Sequence, residues 1–192
     1  LLVRGNRIPA YVKPRPTRVL DVNATELITI ASSLKTDERL HSFPDLFIGG
    51  STVPHEPKAD WIPQKILARV DAGARFLFTY TCMDIDLLRR YMKRLVATQI
   101  TRRLTVVVST AIFTSGSEAR WLRDNRPNVL VPDSLIQRLD HASNPRDEGL
   151  AICVEQLKAI AQIPGISGAN IMASQDLALI PAAIDAANLA EA

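Results

Sequence analysis

Two kinds of segment alternate along the chain. Residues 75–82 (RFLFTYTC) and 102–113 (RRLTVVVSTAIF) are nearly continuous in apolar and β-branched side chains. That is the pattern of strands buried on both faces. Residues 1–5 (LLVRG), 45–51 (DLFIGGS) and 167–173 (SGANIMA) read as further strands, and 128–132 (NVLVP) as a short extended piece. Between them apolar residues recur at helical spacing. The clearest case is 85–99 (IDLLRRYMKRLVATQ), where Leu88, Tyr91, Met92 and Leu95 form a stripe opposite Arg89, Arg90, Lys93 and Arg94.

Helices are also expected over 25–40, 64–73, 117–125, 132–142, 147–163 and 176–189. Asn23 or Thr25 is placed to cap the first, with Glu26 in its first turn. Gly73 stands where the second needs a C-cap. In 147–163, Leu150, Cys153, Val154 and Leu157 are expected to face inward, and Pro181 should kink the last helix near its middle.

Buried strands each followed by a helix predict an α/β fold with a parallel sheet. A closed barrel of this kind needs eight strands. The expectation is therefore a (β/α)8 TIM barrel of which this chain, one domain over 1–192, supplies about the last five β/α units. An open doubly wound sheet is the alternative, but no G-x-G-x-x-G follows any strand.

Composition narrows the function. At 47% hydrophobic and 22% charged residues over 192 positions, the chain has matter for a real core. Cys82 and Cys153 lie in apolar runs and read as small buried hydrophobes. The net charge of +3 comes from scattered basic residues with few aromatics among them, so no nucleic-acid partner is expected. No apolar run is long enough to span a bilayer and no signal peptide is visible, so no membrane partner is expected and the cytoplasm is the expected location. A lone five-strand piece would leave two open edges and an exposed barrel interior, so it is not expected to be the functional unit by itself; a homo-oligomer is left open.

His41, His55 and His141 have no metal-ligand spacing, and neither a G-x-S-x-G elbow nor a P-loop occurs. In barrels the chemistry sits at the C-terminal ends of the strands. Those ends carry Arg4, Gly5 and Asn6; Gly49, Gly50, Ser51 and His55; Thr79, Tyr80, Thr81 and Asp84; Ser109 and Thr110; and Met172, Ser174 and Gln175. Asp84 also reads as a helix N-cap.

These strand ends resemble those of the methylenetetrahydrofolate reductase family. V-R-G-N at 3–6 is similar to that family's L-R-G-D, and G-G-S-T-V-P-H-E-P at 49–57 to its glycine-containing segment ending in H-P-E. K-I-L-A-R-V-D-A-G-A-R-F-L-F-T-Y at 65–80 resembles its K-x-x-A-G-A-x-x-x-x-T-Q unit, with Asp84 at the place of an acid shortly after. N-V-L-V-P-D at 128–133 and G-L-A-I-C-V-E-Q-L at 149–157 follow in the family's order.

The resemblance runs from Leu1 to about Gln175. It implies reduction of 5,10-methylenetetrahydrofolate to 5-methyltetrahydrofolate with NAD(P)H, with FAD as the family's flavin, in the one-carbon metabolism that feeds methionine biosynthesis. Asn6, Tyr80, Glu118 and Gln175 would then meet the folate. Arg4, Gly5, Asn6, Ser51, His55, Lys65 and Arg69 would meet the cofactor. The family's catalytic glutamate belongs to its first barrel strand, before the part this chain covers. Asn6 replaces an aspartate, Tyr80 a glutamine and Gln175 a basic residue, departures that bear most on flavin binding. They also leave open a non-catalytic folate-binding subunit or a folate-dependent methyl-transfer protein.

Overall fold

The computed structural model describes residues 1–3, 12–14, 21–42, 45–173 and 175–189. Four parallel strands form one sheet in the order β1 (Gly49–Thr52), β2 (Phe76–Thr79), β3 (Thr105–Ile112) and β4 (Gly168–Ala173). Each strand pairs with the next in sequence, and the register runs Ser51↔Phe78, Phe78↔Val107 and Ser109↔Asn170. A doubly wound sheet would reverse its order at a switch point. These strands do not reverse, and the general right-handed rule for parallel crossovers then puts successive connecting helices on the same side.

The helices are α1 (Ala24–Ser33), α2 (Gln64–Asp71), α3 (Ile85–Ala97), α4 (Gly116–Asn125), α5 (Asp133–His141), α6 (Pro145–Ala161) and α7 (Leu179–Ala187). Their boundaries follow local chemistry. Asn23 Oδ1 accepts from the backbone N–H groups of Thr25 and Glu26 (2.9 and 3.1 Å), while Glu26 accepts from Asn23 N–H at 2.6 Å. This is a closed capping box. Asp84 caps α3 by accepting from Leu87 N–H at 2.9 Å. Gly73 ends the α2 segment at φ 111°, a conformation that strains any residue with a Cβ.

The α3 stripe packs as its spacing requires. Leu88, Tyr91, Met92 and Leu95 are fully buried against Leu77, Val106 and Val108 of the sheet. A second cluster joins Phe113 and Ala111 to α4, α5 and Ile152 of α6. A third joins Ile112 to Cys153 and Leu157 of α6 and Leu179 and Ala183 of α7.

Several expectations need correction. Residues 1–3 form no strand; Leu2 N–H donates to Gly49 O at 2.7 Å, which lays this segment beside β1. Arg4 and Gly5 lie outside the described residues, so four strands are present there rather than five. The first helix stops at Ser33, followed by a single 3-10 turn over Leu34–Thr36. Beyond it the chain is polar, and Asp37 turns to pair with Arg39 at 2.7 Å instead of extending the helix.

On α6, Cys153 and Leu157 are buried and the half-buried Leu150 and Val154 pack against the same cluster, as expected, while Gly149, Ile152, Gln156 and Ile160 extend the buried face beyond the expected stripe. Gln156 lies on this face because its Nε2 has a partner there, donating to Met83 O at 3.1 Å. Pro181 falls in the first turn of α7, where its missing N–H has no helical partner to lose, so no kink is required.

Both thiols are buried among apolar side chains, and burial raises Cys82 from 9.0 to about 12 and Cys153 from 9.0 to about 11. Both cysteines should resist thiol reagents at neutral pH in the native protein and react once it is unfolded in urea. The linkage has a sign. The unfolded chain loses these protons first, so stability is intact below pH 9.0 and falls as pH rises towards 11 and 12. Urea midpoints measured across that window check the direction.

Candidate functional site

A cavity of about 1230 Å3 opens at the C-terminal ends of β1 and β2. It exceeds the roughly 300–1,000 Å3 of a site for one drug-sized ligand. Ser51 and Thr52 enter it from β1, His55 and Trp61 from the following loop, Lys65 and Arg69 from α2, Tyr80 from the end of β2, and Tyr91 from α3.

The loop after β1 is pinned to α3. Glu56 accepts from Arg90 Nε through both carboxylate oxygens (3.0 and 2.9 Å), and the guanidinium holds its carboxyl below the ordinary range. Arg94 Nε donates to Trp61 O at 3.0 Å. His55 packs edge-on against Trp61 (centroids 4.8 Å apart, 90°) and against Tyr91 (5.3 Å, 62°). His55 Nδ1 lies 3.1 Å from Val53 O; as a donor there, it leaves Nε2 for a ligand. Tyr91 is fully buried, and its hydroxyl meets Thr52 Oγ1 at 2.9 Å. Burial raises the pKa of that phenol, opposed by the Thr52 bond.

Arg69 sets the electrostatics. Its Nη1 donates to Ser51 O, while its Nε is buried with no hydrogen-bond partner. Burial lowers its pKa, opposed by the nearby Tyr91 and Tyr80. Lys65 lies one turn before it on α2. No Asp or Glu is among the described residues lining the cavity. The described lining is thus cationic and aromatic, with no carboxylate of its own to neutralise Arg69 and Lys65.

Ser51, His55, Lys65, Arg69 and Tyr80 are thus brought together in one place. Tyr80 is half-buried, with its N–H on Thr52 O at 2.8 Å. Glu118 is not among the cavity's lining residues: it sits in the first turn of α4, where its Oε2 accepts from Thr114 N–H at 2.8 Å. Gln175 is exposed beyond β4 and also outside that lining. Arg4, Gly5, Asn6 and Ser174 lie outside the described residues.

Trp61, Tyr91 and Thr52 are the site residues that sequence reasoning missed. A signal existed for Tyr91, since a tyrosine in an apolar stripe needs a partner for its hydroxyl. Among the described residues no group of His, Cys, Asp and Glu could hold a metal, and no helix is long and apolar enough to cross a membrane.

No family model and no curated protein matches the sequence. Among solved structures, an uncharacterized protein from Clostridium thermocellum that binds two copies of 5-methyl-5,6,7,8-tetrahydrofolic acid is similar in fold, with a TM-score of 0.55 and 15% identity. The match covers 82% of this chain and 57% of that one, so this chain spans little more than half of the neighbour's length.

Proposed function

We propose that this chain is part of a (β/α)8 barrel and binds a tetrahydrofolate derivative in the cavity at the ends of β1 and β2. The observation that carries the reading is Arg69, a half-buried guanidinium with an unpartnered Nε and no acid in its cavity, beside the rings of Trp61, Tyr80 and Tyr91. A reduced folate offers a flat ring system and a glutamate carboxylate, which suit those two features. The sequential parallel sheet, the resemblance to methylenetetrahydrofolate reductases and the folate bound by the fold neighbour support the same reading.

We further propose that the bound folate is reduced from the 5,10-methylene to the 5-methyl form. That reaction delivers a hydride to the bridging carbon and a proton to the nitrogen that leaves it. A nicotinamide cofactor, NAD(P)H, supplies the hydride when bound. With Arg69 taken by the folate, Lys65 is the described lining residue that would meet its phosphates, and the cavity's volume has room for a second ligand beside the folate. FAD enters this reading through the resemblance alone. His55, its ring fixed by Trp61 and Tyr91, holds a nitrogen for the proton at Nε2.

A second reading, binding without turnover, is favoured by the absence of a carboxylic acid among the described lining residues. One experiment separates the two. The protein is titrated with 5-methyltetrahydrofolate, and NAD(P)H absorbance is then followed with 5,10-methylenetetrahydrofolate present. Binding with oxidation supports the reductase, and binding without it supports the second reading. Absence of binding ends both.

A further inference from the structure

We propose that a second, basic cavity at the opposite end of the sheet binds a small phosphate-bearing anion. It lies at the strands' N-terminal ends: Arg75 immediately precedes β2, Thr105 begins β3 and Ser167 immediately precedes β4. The candidate folate cavity lies where β1 and β2 end, so the two sites are separate.

Three exposed arginines, Arg75, Arg102 and Arg103, are among the residues lining a shallow concavity of about 270 Å3. No acid lines it among the described residues. Asp71 of α2 pairs with Arg103 at 2.8 Å, and among the described residues Arg75 and Arg102 have no ion-pair partner. Like charges gathered on one small surface repel, and an anion between them relieves that repulsion. The planar guanidinium fork matches phosphate oxygens two at a time. The hydroxyls of Thr101, Thr105 and Ser167 add donors on the same surface.

The backbone shapes the hollow. Gly165 takes φ 85°, and a Cβ there would crowd Val96, Thr101 and Met92. Its absence lets the turn before β4 close on Thr101, which brings Ser167 to the arginines. The volume is below the roughly 300–1,000 Å3 of drug-sized sites. It suits a phosphate or diphosphate group of a small molecule better than a nucleic-acid strand. Solvent exposure makes the interaction dependent on salt.

The test is calorimetric titration of the full chain with sodium pyrophosphate at fixed ionic strength, beside a sodium sulfate control. The Arg75→Gln/Arg102→Gln double variant is titrated in the same way. Saturable pyrophosphate binding, weaker sulfate binding and at least about a tenfold loss in the variant are expected. No saturable binding, equal sulfate affinity or an undiminished variant overturns the proposal. Should the variant fail to fold, hydrogen exchange on the unaltered protein decides. Pyrophosphate must slow exchange in peptides spanning 100–106 and 166–168, and unchanged exchange there overturns the proposal. No step uses folate, so this result stands apart from the fate of the folate reading.

Discussion

Arg69→Gln is expected to weaken binding of 5-methyltetrahydrofolate by about thirtyfold. Removing one partner of a desolvated charge contact costs about 2–5 kcal/mol, and Arg69 is only half-buried, so about 2 kcal/mol is the appropriate scale. The Nη1 bond to Ser51 O places the group before any ligand arrives, so little ordering is required of it, and its buried Nε has no competing partner. Arg69→Lys keeps the charge but not the fork and should fall between the two. Calorimetric titration of the three proteins, with thermal midpoints as a control on folding, gives the comparison. If the glutamine variant binds as tightly as the parent, Arg69 is not the anion's partner.

Gly149→Ala is expected to destabilise the fold by about 3 kcal/mol, and Gly149→Val by more. An added Cβ would overlap the Phe113 carbonyl oxygen where α6 lies against the end of β3. Intrinsic propensity predicts the opposite sign, because replacing a helical glycine by alanine should gain about 0.5–1 kcal/mol. The two effects oppose each other, so urea unfolding of Gly149→Ala reads the packing directly. A variant as stable as the parent would mean that α6 does not approach β3 this closely.

The sequence reveals this fold where one face of an element is dry and the other wet. The α3 stripe is legible because Leu88, Tyr91, Met92 and Leu95 repeat at helical spacing and all find the same sheet. The α6 face is legible only in part: Leu150 and Val154 pack against the same cluster as Cys153 and Leu157, but the buried Gly149 and Gln156 carry no apolar signal. The helix is oriented there by a polar anchor, Gln156 on Met83 O, and by a close approach at Gly149. Pro181 misleads because a proline signals differently in a first turn than in a helix interior, and only the observed start at Leu179 tells them apart.

The candidate site divides similarly. Ser51, His55, Lys65, Arg69 and Tyr80 were findable because strand ends and the turns after them carry chemistry in barrels. Their convergence depends on long-range contacts, such as Arg90 on Glu56 and Arg94 on Trp61 O, which join positions more than thirty residues apart. Glu118 lies outside the cavity's lining, and a glutamate in a helix's first turn looks the same in sequence whether it meets a ligand or, as with Thr114 N–H, the backbone before it.

The most direct test of the central claim is hydrogen exchange of the protein with and without 5-methyltetrahydrofolate. The account predicts slowed exchange in peptides covering 51–69 and 79–81, the segments that line the cavity at the ends of β1 and β2. Unchanged exchange in those segments at saturating ligand, or slowing confined to other parts of the chain, would contradict it.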